Sequence, residues 1–559
     1  MGDVLSLYRM QDTTLELKPI NDVSDDFAEL RKHHAIYVDK TAFIRDLVSD
    51  ENSKVVFASR PRRFGKSLTV STLKYLFQGR RDLFTGLAID KSDWEWKKHP
   101  VIHFAFNDVI TTTVSEFADD FVAYIKRSMM NAGYEYDEKL SYAQNFGVAI
   151  ETLAAESRKK ARDNPAEFGE GVVILIDEYD APVGHCLADI AKAEAVRDRM
   201  SSFYAQMKNM TGDIRFLFMT GVSKFTKLSV FSALSNIKDV SLLDKYATMF
   251  GYTEDELTAN FEPHLRAHAE KMGLPYDDYR AEMKRWFNGF RFSPDKDVTV
   301  YNPVSVAYTL KNQRPVFAAA WATTGRPSML MNFLKREDLL SIDYEKMEDV
   351  PGEAFDVADL RNLTATALLF QAGYLTIRGY DADTDDYTLG VPDEEVRRDL
   401  ATLIAGVAAN ESEAWAANLG KSLLHANWPK FFVGMKSLYA HLPYGPTEDA
   451  VQEFSFQRVL CTLLASQGVE VVAEDRQSDG RADIVAKHKK GIFIFELKVG
   501  DPVDKAFAQI REKGYAEPYL ASGRPVWAIG LSFDRESRRL VGHEACRLVR
   551  CEQIAEEAM

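Results

Sequence analysis

The sequence predicts an α/β chain in three parts. A mostly parallel sheet covered by helices on both faces comes first. A helical middle region with a winged-helix-like hairpin follows, and a smaller α/β unit ends the chain. Three observations predict it. Unbroken aliphatic runs such as VVILID alternate with helical patterns from residue 51 onward, as strands buried on both faces do. Around 360–400 the pattern reads helix, hairpin, helix. Beyond residue 449 a helix, a strand, a hairpin, a helix and a strand succeed one another. At 559 residues the chain is too long for one core. The expected parts are a lead-in over 1–50, a sheet domain over 51–260, the middle region over 261–445 and the C-terminal unit over 446–559.

Residues 20–50 read as a short helical lead-in, because YVDKTAFIRDL places apolar residues at helical spacing. The strand KVVFAS then runs into the loop RPRRFGKSL, which ends in Gly65, Lys66 and Ser67. This is the end of a Walker A loop, which cradles phosphate on backbone N–H groups at a helix start. Its lysine reaches the outer phosphates and its serine hydroxyl binds Mg²⁺. The full pattern wants a glycine at position 60, where Arg60 stands, and Arg62, Arg63, Phe64 and Leu68 complete the loop. Strands follow at VIHFAFN (101–107), VVILID and IRFLFMTG (214–221). Asp177 and Glu178 close the second of these, where one carboxylate would hold Mg²⁺ and the other would polarise an attacking water. Their alternative role is an N-cap and a first-turn acid of the next helix. Ser223 follows the last of these strands, either as a phosphate-sensing hydroxyl or as ordinary loop polarity.

In the middle region, Thr253 with Glu256 three residues later is a capping box opening a helix. His264 and His268 stand at i, i+4 on that helix, and without the glutamate of HExxH they read as a solvated face. The aromatics of RWFNGFRF read as core, and Arg285 and Arg291 flank them as either salt-bridge partners or a charge finger. The hairpin in GYLTIRGYDADTDDYTLGVP has an acidic tip, which favours packing of neighbouring domains over contact with DNA. HLPYGPTED (441–449) is the expected linker.

The C-terminal unit carries the densest signal. GRADIVAK and IFIFELK are joined by HKKG, and a hairpin centred between Lys489 and Lys490 sets Asp483 opposite Glu496. Facing carboxylates repel. A divalent cation would remove that conflict, and Lys498 falls on the same face because strand side chains alternate. Two carboxylates with a lysine equip a metal-dependent phosphodiesterase; the alternative is a charged, soluble sheet edge. RPVWAIGLSF reads as the last strand.

Bulk properties narrow the classes. No apolar run is long enough to span a membrane. Cys186, Cys461, Cys546 and Cys551 show no CxxC spacing, which predicts reduced thiols in a cytoplasmic protein. Net charge is −15, and residues 446–559 hold 16 Lys+Arg against 19 Asp+Glu, a balance of −3. A general basic surface is excluded, so phosphate contacts would be confined to a local groove.

Together, YVDKTAFI, RPRRFGKSL, LIDEYDAPV, TGVSKFTKLSVFSALSNIKDVSL, WFNGFRF, YNPVSV, LLFQAGYLTI, GRADIV, FELK and AQIREKGYAEPY resemble a bacterial family. Its members join an N-terminal AAA-ATPase-like domain to a C-terminal PD-(D/E)XK nuclease-superfamily domain, and the likeness covers most of the chain. It implies a P-loop NTPase sheet domain and a restriction-endonuclease-like C-terminal fold. It also implies that RPRRFGKS is the usual loop of the family, so Arg60 is a family trait. Lys66 and Ser67 would contact ATP and Mg²⁺, with Asp177 and Glu178 in Walker B roles. Asp483 and Glu496 would hold Mg²⁺, with Mn²⁺ as an alternative, and Lys498 would position water or stabilise charge. Glu453 matches a frequent extra acid, and Gln509 a residue that often orients substrate or lysine. One departure is Asp393 in PDEEVR, where the family pattern has asparagine. The implied partner is nucleic acid, DNA ahead of RNA, with no membrane, acting alone or as a homo-oligomer.

Overall fold

The computed structural model describes residues 17–21, 25–50, 53–109, 112–187, 189–224, 237–312, 314–317, 344–354, 360, 363–409, 413–440, 449–477 and 480–548. The lead-in forms α1 (Phe27–Lys32) and α2 (Thr41–Val48). The first sheet follows in the order the aliphatic runs require. β1 (Val55–Ser59) leads through the phosphate loop to α3 (Lys66–Phe77), and β2 (Val101–Ala105) to α4 (Val114–Asn131) and α5 (Tyr142–Asp163). β3 (Val172–Asp177), α6 (Ile190–Asn209), β4 (Ile214–Gly221) and β5 (Lys238–Asp239) complete it. All pairings are parallel, in the order β2-β3-β4-β1-β5. β4 therefore lies between the strand that feeds the phosphate loop and the strand that ends in Asp177. Every residue of β3 is buried, which is why its pattern shows no alternation.

In the middle region, α7 (Glu254–Met272) starts at the expected capping box: the Thr253 hydroxyl accepts from Glu256 N and Glu256 accepts from Thr253 N. α8 (Tyr276–Phe287) leads into β6 (Asn288–Phe290), which pairs with β7 (Val300–Tyr301), and α9 (Pro303–Lys311) follows. The region expected to be winged-helix-like comprises β8 (Met347–Pro351), α10 (Ala365–Ala372), the hairpin β9 (Thr376–Asp381) with β10 (Asp386–Gly390), and α11 (Glu394–Ala409). Trp286, Phe287, Phe290 and Phe292 are all buried, as the core reading expects.

The histidine expectation is corrected. His268 is buried, with Nδ1 3.0 Å from the Tyr279 hydroxyl, and His264 Nε2 lies 3.0 Å from the Lys18 carbonyl. His268 thus packs on α8, whereas half-buried His264 lies against the lead-in. Arg291 is also buried and donates to the Ser293 and Pro294 carbonyls, so it braces its own loop, while Arg285 pairs with Glu282 and Glu394.

The C-terminal sheet takes the order β11-β12-β13-β14-β15. α14 (Asp449–Ser466) precedes β11 (Glu470–Gln477), β12 (Gly480–His488) and β13 (Gly491–Val499); α15 (Val503–Glu512) crosses to β14 (Val526–Phe533), parallel to β13. RPVWAIGLSF is not the last strand: β15 (Leu540–Leu548) pairs antiparallel with β14. Two further helices, α12 (Glu413–Leu424) and α13 (Trp428–Ala440), bury Leu419, Phe431 and Leu438 in one core with Phe456, Phe495 and Ile529. The C-terminal packing unit thus begins upstream of residue 446. Residues 441–448 of the expected linker lie outside the described residues. Among the described residues no helix is long and apolar enough to cross a membrane, and Cys186, Cys461 and Cys546 are free thiols.

Candidate active sites: a phosphate loop and a carboxylate hairpin

The phosphate loop turns sharply because Arg63 (φ 70°) and Gly65 (φ 87°) both take the left-handed conformation, and Gly65 caps α3. Consecutive N–H groups in such a turn form an anion-binding concavity. Lys66 is buried at the first turn of α3, and Nζ donates to the Arg60 and Pro61 carbonyls at 3.0 and 2.9 Å. Burial lowers its pKa, and the charges of Glu178, Asp177 and Asp180 oppose that shift.

Arg60 occupies the position of the missing glycine, yet its side chain leaves the loop. It donates to the Ser59, Ser241 and Tyr246 carbonyls and stacks 4.2 Å from the Phe292 ring centroid. Its role here is to tie the loop to the segment after β5.

β3 delivers Asp177 to the loop. Its carboxylate accepts from Glu178 N at 3.0 Å, and burial raises its pKa against the opposing influence of Ser67 and Lys66. Glu178 has a left-handed φ of 50°, an uncommon conformation for a residue with a side chain. Burial, then the Asp177 charge, raises its pKa too. Neither acid caps the next turn, which starts at Ala181 behind Asp180.

Glu178 lines a cavity with Arg62, Asp180, His185, Ser223 and Gln371. Ser223 donates both its N–H (2.7 Å) and its hydroxyl to Asp180, which also accepts from Val222 N. Asp180 thus clamps the ends of β3 and β4 together, a role visible in the sequence only as the last acid of LIDEYD. On the other side of the loop, Phe64, Gly65 and Leu68 border a second cavity with Tyr37, Lys40 and Tyr252. Phe64 packs edge-on against Phe290 and Phe292. Lys40, unremarked in the sequence, pairs with Glu256 at 2.6 Å and so fastens α7 to the lead-in.

The hairpin forms the second site. β12 and β13 pair from His488↔Gly491 to Ile484↔Phe495, and the next step of that register sets Asp483 beside Glu496. Asp483 Oδ2 accepts from Leu497 N at 2.7 Å, which fixes the carboxylate across the strands. Glu496 is fully buried. Its Oε1 accepts from Lys498 Nζ at 2.8 Å, while its Oε2 has no hydrogen-bond partner. Burial, then the Asp483 charge, pushes the Glu496 carboxyl up to about 7.

An orphaned buried carboxylate oxygen next to a second carboxylate is the donor set a hard divalent cation takes. The residues present therefore fit Mg²⁺ or Mn²⁺. Among the described residues no cluster of three His, Cys, Asp or Glu forms a larger site. The side chain of Glu453, on α14, lies outside the described residues. One turn further along α14, Gln457 donates from Nε2 to the Asp483 carbonyl at 2.5 Å, a contact no motif signalled. Gln509, on α15, donates to the Tyr515 hydroxyl at 3.4 Å.

Comparison with known proteins agrees with this division. Residues 23–231 match the family model described as a predicted AAA-ATPase, and residues 451–543 match that of the PD-(D/E)XK nuclease superfamily. A protein of Azotobacter chroococcum mcd 1, described as an uncharacterized protein in the vnfD 5′ region, is 32% identical over 530 residues. The alignment covers 92% of this chain and 96% of that one.

Proposed function

Because the chain belongs to the bacterial family that joins a predicted AAA-ATPase domain to a PD-(D/E)XK nuclease-superfamily domain, we propose an ATP-binding, Mg²⁺-dependent nuclease. Its substrate is DNA, its compartment the cytoplasm, and it hydrolyses ATP. Arg62, Arg63, Phe64, Gly65, Lys66, Ser67 and Leu68 hold the nucleotide. Backbone N–H groups and Lys66 take the phosphates, and Ser67 and Asp177 hold the nucleotide's Mg²⁺. Glu178 accepts a proton from the attacking water, a task suited to a carboxylate whose pKa is raised. Ser223 senses the terminal phosphate by exchanging its bond to Asp180 for one to the nucleotide.

In the hairpin, Asp483 and Glu496 would hold the metal, with Glu453 as the further acid that the family resemblance implies. A divalent cation bound there supplies an acidic water and polarises a phosphate oxygen. Lys498, whose Nζ is bonded to Glu496 at 2.8 Å, would position the water or stabilise the charge that develops on the phosphorane. Gln509 orients the substrate or Lys498. The observation that carries the reading is the unpartnered Oε2 of fully buried Glu496 beside Asp483. Buried carboxylate oxygens are normally hydrogen-bonded, so an open one facing a second carboxylate and a lysine supports a ligand role.

The test is cleavage of supercoiled, linear and single-stranded DNA with Mg²⁺ or Mn²⁺, with and without ATP, alongside Lys498→Ala. Metal-dependent cutting that disappears in the variant supports the nuclease. Equal cutting by the variant removes Lys498 from the mechanism. The acidic balance of residues 446–559 favours a second reading, a nucleotide-gated interaction protein whose hairpin domain only binds. Absence of cutting under every condition would select it.

A further inference from the structure

The two sites stand on separate sheets, but one helix belongs to both cores. α11 gives Val396, Leu400, Leu403 and Ile404 to the first core and Ala405 to the C-terminal one. Its start faces the phosphate loop. The Asn302 side chain donates to the Arg62 carbonyl at 3.5 Å, and the neighbouring Ser305 hydroxyl donates to Glu395 at 2.6 Å. Glu395 is 1% exposed, and its charge acts on the Arg63 guanidinium. Just ahead, Asp393 accepts from Val396 N. Burial and the Glu395 charge push the Asp393 carboxyl well above the usual carboxylate range, and through Val396 N it caps α11.

Further along, α11 packs on α14. The Arg398 guanidinium closes over Gly468, in the turn between α14 and β11, where no side chain would fit. α14 in turn carries Gln457, which holds the Asp483 carbonyl. A continuous pair of packed helices therefore connects the phosphate loop to the carboxylate hairpin.

We propose that α11 and α14 carry nucleotide occupancy of the phosphate loop to the hairpin site, with Glu395, bonded to the turn that holds the Arg62 carbonyl, as the receiver and Gln457 as the output on Asp483. The proposal rests on the nucleotide-binding reading above. A phosphate bound in the loop attracts Arg63 and weakens its pull on Glu395. A buried carboxylate that loses countercharge is costly where it stands. Close-packed helices relieve such a cost by shifting as bodies between discrete arrangements. Movement of α11 displaces α14, and Gln457 then changes how β12 presents Asp483. Gln457 is a positioning residue, since it touches the main chain of Asp483 and neither metal nor substrate.

The experiment is hydrogen exchange on the full chain with and without Mg·ATP, for the wild type and Glu395→Gln. Glutamine keeps the bond from Ser305 and removes the charge. In the wild type, ATP is expected to protect residues 60–68 and to alter exchange in 394–409 and 480–488. Glu395→Gln is expected to keep the first effect and lose the second. A distal change that persists in the variant, or is missing from the wild type, overturns the proposal. If Glu395→Gln fails to fold, Arg398→Ala, which loosens the contact at Gly468, is read the same way.

Cleavage gives an independent measure. ATP is expected to change the wild-type rate about fivefold or more and that of Glu395→Gln less than about twofold, with equal rates in the absence of ATP. Gln457→Ala is expected to raise the Mg²⁺ concentration for half-maximal cutting; a lower melting temperature with unchanged Mg²⁺ demand would overturn its positioning role. If no DNA is cut at all, the nuclease reading fails, and the exchange result still decides the link.

Discussion

The phosphate loop and the carboxylate hairpin handle buried charge in opposite ways. In the loop, Lys66 is held by two carbonyls, Asp177 by Glu178 N, and Arg60 by three carbonyls and an aromatic face. In the hairpin, Glu496 keeps one oxygen unpaired next to another acid. The loop meets most of its buried charge with its own groups, although Arg60 Nε has no partner, whereas the hairpin leaves a carboxylate oxygen open beside a second acid. If the proposed cation binds there, metal binding and folding stability are linked.

That contrast can be broken experimentally. The largest effect is expected from Glu496→Gln, which should slow cleavage by about 10³-fold. The same change should raise the melting temperature in EDTA at pH 8, because an unpaired buried charge is gone. A variant that is both inactive and less stable would remove the contrast.

Next comes pH. Glu496 titrates near 7 in the fold and near 4.5 when unfolded. Its stabilising contribution is complete below 4.5 and lost as pH rises through 7, a change of about 3 kcal/mol. Thermal melts in EDTA should therefore fall between pH 5 and 8, and Mg²⁺ should restore the loss at pH 8 but do little at pH 5. A flat profile for this component, judged against Glu496→Gln, would contradict the site.

Arg60→Gly writes the missing glycine back into the loop. If Arg60 braces the loop, the variant loses about 2 kcal/mol of stability and gains no nucleotide affinity. Tighter ATP binding in a titration would show that Arg60 impedes phosphate after all. The smallest effect is that of Thr253→Ala, about 1 kcal/mol from the lost cap of α7. It should leave the Mg²⁺-dependent rise in melting temperature untouched, and a change there would mean that the two regions do not respond separately.

What the sequence reveals follows the same contrast. The hairpin register was legible because the short HKKG turn fixes it; both faces of the pair are buried, Ile484, Phe493 and Phe495 in one core and Val485, Ile492 and Ile494 in another, so alternation alone does not. The strands β1, β3 and β4 were legible because burial on both faces makes them uniformly apolar. β15 was not, since it is a half-exposed edge strand in which Gly542, His543, Glu544 and Arg547 interrupt any pattern. His268 read as solvated because its burial is decided by Tyr279 on the next helix, which no local spacing reports. Asp180, Lys40 and Gln457 were missed for a related reason: each acts on a main-chain or side-chain group distant in sequence. The roles of Arg60 and Asp393 depend on direction and protonation, and neither is written in residue type.

The order β2-β3-β4-β1-β5 has a kinetic consequence. β1 finds its neighbour only when β4 is available, and the Thr220 hydroxyl that bonds Ala58 lies 162 residues away. During synthesis the loop strand must wait for most of its domain to emerge, whereas β12 and β13 can meet across a two-residue turn. Long-range parallel pairing is slow and local hairpins are fast. On the ribosome, of the two sites the one made later is therefore the one whose critical contact forms with the shorter delay.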